Sequence, residues 1–121
     1  MTAPLALALI CCTCVATIAI ELSLAAVLFG VRGRRAAAVV ALAQVVTNPV
    51  VELGCLLVGW SVAAPFPGVA WAVMLALELG AVAVEAWIYR ETGVVERPVV
   101  ASVTLNLASF AIGCVAGLIF V

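Results

Sequence analysis

The sequence predicts an all-α polytopic membrane protein, with four transmembrane helices arranged as two antiparallel hairpins around a polar bundle interior. Three observations carry this. Of 121 residues, 69% are hydrophobic and 9% charged, whereas a soluble domain is about half apolar and a quarter charged. Four apolar runs reach the roughly 20 residues that a helix needs to cross a bilayer. The five arginines fall in two short segments, both between runs.

The first run spans 5–30 and holds one charge, Glu21. It has no basic flank and is longer than the roughly 7–15 apolar residues of a signal-peptide core, so it is expected to be retained. A basic turn, VRGRR (31–35), leads into the second run at 36–60. At its centre lies QVVTNPVVE, with Gln44, Asn48 and Glu52 spaced four apart and Pro49 between the last two. A proline has no N–H to donate and clashes with the carbonyl four residues back, here that of Val45. The second helix is therefore expected to kink or break at Pro49, exposing carbonyls beside Asn48. An uncharged proline-bearing loop (61–68) precedes the third run, 69–89, which contains Glu78 and Glu85. A polar loop, RETGVVERP (90–98), ends in Pro98, which suits the first turn of a helix. The fourth run covers 99–121, with Ser102, Thr104, Asn106 and Ser109 as its polar side chains. Residues 1–121 thus read as a single four-span membrane domain without room for a folded extramembrane one.

Cytoplasmic loops of membrane proteins carry an excess of arginine and lysine. Both arginine segments, 31–35 and 90–98, are accordingly expected in the cytoplasm, with both termini outside and the protein integral to the plasma (cytoplasmic) membrane.

Residues at i, i+4 and i+7 share one face of a helix. The polar side chains then form one stripe per span: Cys14, Thr17 and Glu21; Gln44, Asn48 and Glu52; Glu78 and Glu85; Ser102, Asn106 and Ser109, followed by Gly113. Gly113 and Gly117 form a small-xxx-small step suited to close helix packing. Polar groups in hydrocarbon are costly, so the stripes are expected to face one another. At 1.5 Å per residue, Glu21, Asn48 and Asn106 fall about 10–18 Å from the cytoplasmic ends of their spans. Glu52 and Glu78 fall about 12–15 Å below the outer surface. Glu85 lies about one turn from the cytoplasmic interface, where an ion pair with Arg90 or another loop arginine is expected.

A carboxyl inside a membrane must be protonated, lie in water or meet a cation, which is why such groups serve as proton relays and cation sites. The expected ion- or ligand-binding residues are Glu21, Asn48, Glu52, Glu78 and Asn106, with Gln44, Thr17, Glu85 and Ser109 in support. Cys11, Cys12 and Cys14 resemble the vicinal cysteine pair in the first span of small mercuric-ion transport proteins, although the second pair of that pattern is missing. Soft metals favour thiolates, so Cys11 and Cys14 are the candidate metal ligands. Chain length, four spans and a first-span glutamate are similar to the small multidrug-resistance transporters; the aromatic cage of that family has no match here. No cofactor is expected, and a nucleic-acid partner is excluded by the lack of a basic face.

The functional expectation is a small transporter or channel-like protein that binds protons or a cationic solute, embedded in the lipid bilayer as a homodimer or higher oligomer. The alternatives are an accessory or assembly subunit of a larger membrane partner and an intramembrane enzyme acting on a lipid or membrane peptide. The enzyme is the weaker case: with no histidine or aspartate, paired carboxyls would have to carry acid–base chemistry alone.

Overall fold

The structure, a computed structural model, describes residues 2–61 and 67–120. Over these residues it is all-helical, with α1 (Ala3–Phe29), α2 (Arg34–Ser61), α3 (Pro67–Thr92) and α4 (Pro98–Phe120). Each helix contains a stretch long and apolar enough to cross a membrane. The centre of the uncharged loop expected at 61–68 lies outside the described residues, as do the surroundings of Gly117.

The helix ends follow from local chemistry. Pro4 sits in the first turn of α1, where a missing N–H breaks no intrahelical bond. Gly30 ends α1 in the left-handed conformation, with φ 64°, and the Val31 N–H donates to the Ala25 carbonyl at 3.1 Å. Gly93 does the same for α3 at φ 68°, its N–H donating to the Tyr89 carbonyl at 3.0 Å. Such a conformation costs an L side chain about 1–2 kcal/mol, and glycine avoids that strain. Pro98 opens α4. α3 runs three residues beyond the apolar span read from sequence, because Arg90 in its last turn suits the negative end of the helix dipole. The Arg35 guanidinium then donates to the Thr92 carbonyl at 3.0 Å, so the start of α2 caps the end of α3.

Of the kink or break expected at Pro49, α2 shows no break. It is continuous from Arg34 to Ser61 with Pro49 in its interior. No segment is unwound to offer backbone carbonyls beside Asn48. Packing on both neighbours holds the helical path, and in membrane helices a proline is tolerated where the surroundings compensate the lost bond.

The helices pack in a closed ring, α1 on α2, α2 on α3, α3 on α4 and α4 on α1, with no diagonal contacts among the described residues. Contacts between α2 and α3 run in opposite order along the two chains. Arg35 meets Thr92, Thr47 meets Glu85, and Gly54 meets Leu77.

The core lies at one end of this ring. Ala25, Val31, Val40, Ala43, Tyr89, Ala101 and Leu105 form one buried cluster, at the end that carries the arginine turns. Alanine at three of these positions lets the helices approach closely. In the other half of the bundle, over residues 2–20, 48–57, 68–80 and 106–116, no described side chain is fully buried. The bundle is closed at one end and open at the other. Its outer faces carry large apolar side chains such as Leu42, Trp87 and Leu107, a surface suited to hydrocarbon and costly in water.

In the open half, Gly54 on α2 packs against Leu77 on α3, where an added Cβ would stand 2.5 Å from Leu77 Cδ1. Gly54→Ile is therefore expected to destabilise the protein by about 1–3 kcal/mol. Adding Leu77→Ala should recover part of that loss. Thermal unfolding of the single and double variants in detergent measures both.

Candidate functional site

The polar stripes meet in two layers. The first lies just above the apolar cluster and is dry. Glu21 on α1, Glu85 on α3 and Ser102 on α4 are fully buried, and Gln44 on α2 is 2% exposed. The Gln44 amide stands between the two carboxyls: its Nε2 donates to Glu21 Oε2 and, at 3.0 Å, to Glu85 Oε1. Thr47, three residues on and on the same face of α2, places its hydroxyl 2.7 Å from Glu85 Oε1. From α4, Asn106 Nδ2 donates to Glu85 Oε2 at 2.5 Å and to the Ser102 carbonyl at 2.8 Å. The Ser109 hydroxyl lies 3.1 Å from Glu21 Oε1. Ser102 ties the layer to the backbone of α3 by donating to the Val82 carbonyl at 2.8 Å.

Proton counting shows what this layer can do. A hydroxyl has one proton and can also accept. Thr47 has two acceptors within reach, Glu85 Oε1 and the Ala43 carbonyl at 3.0 Å. Ser109 likewise has Glu21 Oε1 and the Asn106 carbonyl, both at 3.1 Å. Facing a carboxylate, each hydroxyl donates to it. Facing a carboxylic acid, each turns its proton to the helix carbonyl and accepts the acid's proton instead. Both carboxyls are thus served in either protonation state without moving a helix.

The second layer is a partly open cavity of about 610 Å³ in the open half of the bundle, lined from all four helices. Its polar lining comprises Thr13, Thr17, Asn48, Glu52, Glu78 and Ser109. Phe110 and small or branched apolar residues of α1 and α4 complete the wall. Among the described residues neither Glu52 nor Glu78 has a hydrogen-bond donor. Asn48 Nδ2 is enclosed and without a partner; the Cys14 thiol lies beside Asn48 without completing a bond. Ser109 belongs to both layers, lining the cavity and bonding Glu21.

The structure thus divides the residues singled out from sequence. Glu21, Gln44, Glu85, Asn106 and Ser109 meet in the dry layer, whereas Thr17, Asn48, Glu52 and Glu78 line the cavity. Glu85 corrects its expectation. It makes no ion pair among the described residues and is instead held by Gln44, Thr47 and Asn106. The physical reason is the extension of α3: five residues at 100° each carry the exposed Arg90 about 140° around the helix from Glu85.

Two residues of the layer escaped sequence reasoning. Thr47 could have been found by its three-residue spacing from Gln44. Tyr89, one turn after Glu85, is fully buried with an unpartnered hydroxyl; its place at the expected end of the span concealed it. The cysteines form no disulfide and no cluster of three among the described residues. Cys11 and Cys12 are exposed, all five are free, and the described residues contain no group of three His, Cys, Asp or Glu able to hold a metal.

The four apolar helices fit a membrane protein. No protein-family model, curated protein or solved structure matches the chain significantly.

Gln44→Leu would strip a shared donor from two buried carboxyls and is expected to cost about 1–3 kcal/mol for each one left unsatisfied. Tyr89→Phe should leave stability unchanged or raise it, because the hydroxyl it removes has no partner. Unfolding both variants in mixed detergent micelles, against the wild type, checks the contrast.

Proposed function

We propose that this protein is a small membrane transporter or channel-like protein whose buried carboxyls bind protons or a cationic solute. One observation carries the reading: Glu52, Glu78 and the Asn48 amide face a common cavity, and none has a protein partner among the described residues. Unpaired polar groups at membrane depth are costly, and where they persist they mark ion and substrate pathways. The occupant that satisfies this lining supplies positive charge or N–H groups to the two carboxyls and an acceptor to Asn48 Nδ2. The cavity, at about 610 Å³, falls within the roughly 300–1,000 Å³ of small-molecule sites. It is much larger than a bare ion, and the described residues contain no group of three His, Cys, Asp or Glu able to hold a metal. An organic or hydrated cation suits it better.

In this reading Glu52 and Glu78 bind the charge and Asn48 orients the solute. Glu21 communicates with the cavity through Ser109. Glu85, Gln44 and Asn106 hold Glu21 in place from below. The helices form two antiparallel hairpins in the plasma membrane, with segments 31–35 and 90–98 in the cytoplasm and the open half of the bundle toward the outside. The five arginines in those two segments support this orientation. A homodimer or higher oligomer is the working unit.

Binding of tetramethylammonium to the purified protein, and its uptake into proteoliposomes, test the site. Glu52→Gln or Glu78→Gln should each weaken binding roughly tenfold or more, the effect of losing a charged partner in a buried site. The triple variant Glu21→Gln, Glu52→Gln, Glu78→Gln should be inactive for both cation and proton flux. Wild-type activity in that variant would sink the reading. Orientation is checked separately: a cysteine replacing Arg34 should react with a membrane-impermeant maleimide only from the cytoplasmic side.

A further inference from the structure

Glu78 and Phe110 do not belong to the cavity alone. They also line a groove of about 220 Å³ between α3 and α4, whose other walls include Met74, Leu75, Val103 and Leu107. Leu75, Val103, Leu107 and Phe110 are exposed on the outer surface of the bundle. The groove is apolar except for Glu78 and Asn106, and the Asn106 amide is already engaged with Glu85 and the Ser102 carbonyl. Glu78 is therefore a carboxyl that fronts both the cavity and the outward-facing groove.

Its position rules out access from bulk water along the groove. Glu78 is eleven residues into α3, about 16 Å from the start of the helix, and so lies near mid-membrane. A carboxyl left there against hydrocarbon is costly. No arginine among the described residues lies at this depth, since Arg34, Arg35 and Arg90 sit at helix ends. A second copy of this chain packed symmetrically on the groove would set the same patch against itself, and with it Glu78 against Glu78. The complement to one central carboxyl in an apolar trough is a molecule with an apolar body and a single positive head.

From this geometry we infer that the α3–α4 groove is a lateral port, through which a cationic amphiphile passes from the bilayer into the cavity. The inference rests on the cation-binding reading of the cavity and narrows its substrate class to monocationic amphiphiles of the alkylammonium type. The alkyl body lies along Met74, Leu75, Val103 and Leu107. The head reaches Glu78, and Phe110 stands at the boundary between groove and cavity. Inside, Glu52 and Glu78 together hold the head.

The test uses the full chain in phosphatidylcholine vesicles with an alkyltrimethylammonium probe that carries a photoreactive diazirine in its chain. Labelled peptides are mapped by mass spectrometry, and tetramethylammonium binding is measured in parallel. Labelling is expected to concentrate on Met74, Leu75, Val103 and Leu107, and to be competed by unlabelled amphiphile. In Glu78→Gln it should fall roughly tenfold, as for loss of a buried charged partner. Uncompeted labelling spread equally over Leu42, Val45 and Leu107 would overturn the port, because the probe would then be acting as bulk lipid. So would efficient disulfide trapping of a Leu107→Cys dimer that excludes the probe. If tetramethylammonium still binds and needs Glu78 while the groove stays unlabelled, the port is wrong and the cavity reading survives. If tetramethylammonium does not bind the wild type at all, both fall together.

Discussion

The bundle depends on one buried amide. Gln44 donates from α2 to Glu21 on α1 and to Glu85 on α3, so a single side chain joins three helices. Asn106 and Ser109 bring in the fourth from α4. In water, apolar burial would select this packing. Between lipid-exposed helices that drive is absent, because lipid tails are as apolar as leucine, and packing and interhelical hydrogen bonds take its place. Individual bonds of this kind are worth on the order of 1 kcal/mol. Their geometric demand is stricter than their energy, since rotating any one helix would leave a carboxyl in hydrocarbon without a donor.

That demand also sets where the bundle closes. The apolar cluster around Ala25, Ala43, Ala101 and Tyr89 lies immediately on the arginine side of the Gln44 layer. Alanines allow the approach that the short Gln44 and Asn106 side chains require. Beyond the layer no described residue is fully buried, and the four helices enclose space instead of one another. The cavity is therefore a consequence of where the bonds end, with Ser109 as the last member of the network and the first of the lining.

The number and extent of the helices were legible because length and apolar content report a membrane solvent directly. The stripes were legible too, since helical periodicity assigns a face without knowledge of partners. Partnership was not. Gln44, Asn48 and Glu52 follow one another at a constant spacing and read as one stripe, yet Gln44 lies in the dry layer and the other two in the cavity. A stripe gives direction, whereas enclosure depends on how closely three other helices approach. Glu85 failed for a related reason. Its distance from the end of an apolar run suggested an interfacial ion pair, but α3 continues to Thr92 and turns Arg90 away. Pro49 carries the same lesson, because a local breaker does not by itself interrupt a helix that packs on two neighbours.

Four glutamates at membrane depth thus acquire two different roles from one chemistry. Glu21 and Glu85 are flanked by Gln44, Thr47, Asn106 and Ser109, which supply every carboxyl oxygen with a donor. All four donors lie on α2 and α4. Toward the open end the only further amide on those helices that faces inward is that of Asn48, and its N–H is itself unpartnered. Glu52 and Glu78 consequently meet no donor among the described residues. Where carboxyls and donors are matched, the layer is structural and holds the helices in register. Where the donors run out, the same residue type is left facing the open space between the four helices. The boundary between the bonded layer and the cavity falls at Ser109, where the amides and hydroxyls bonded to carboxyls end along two helices.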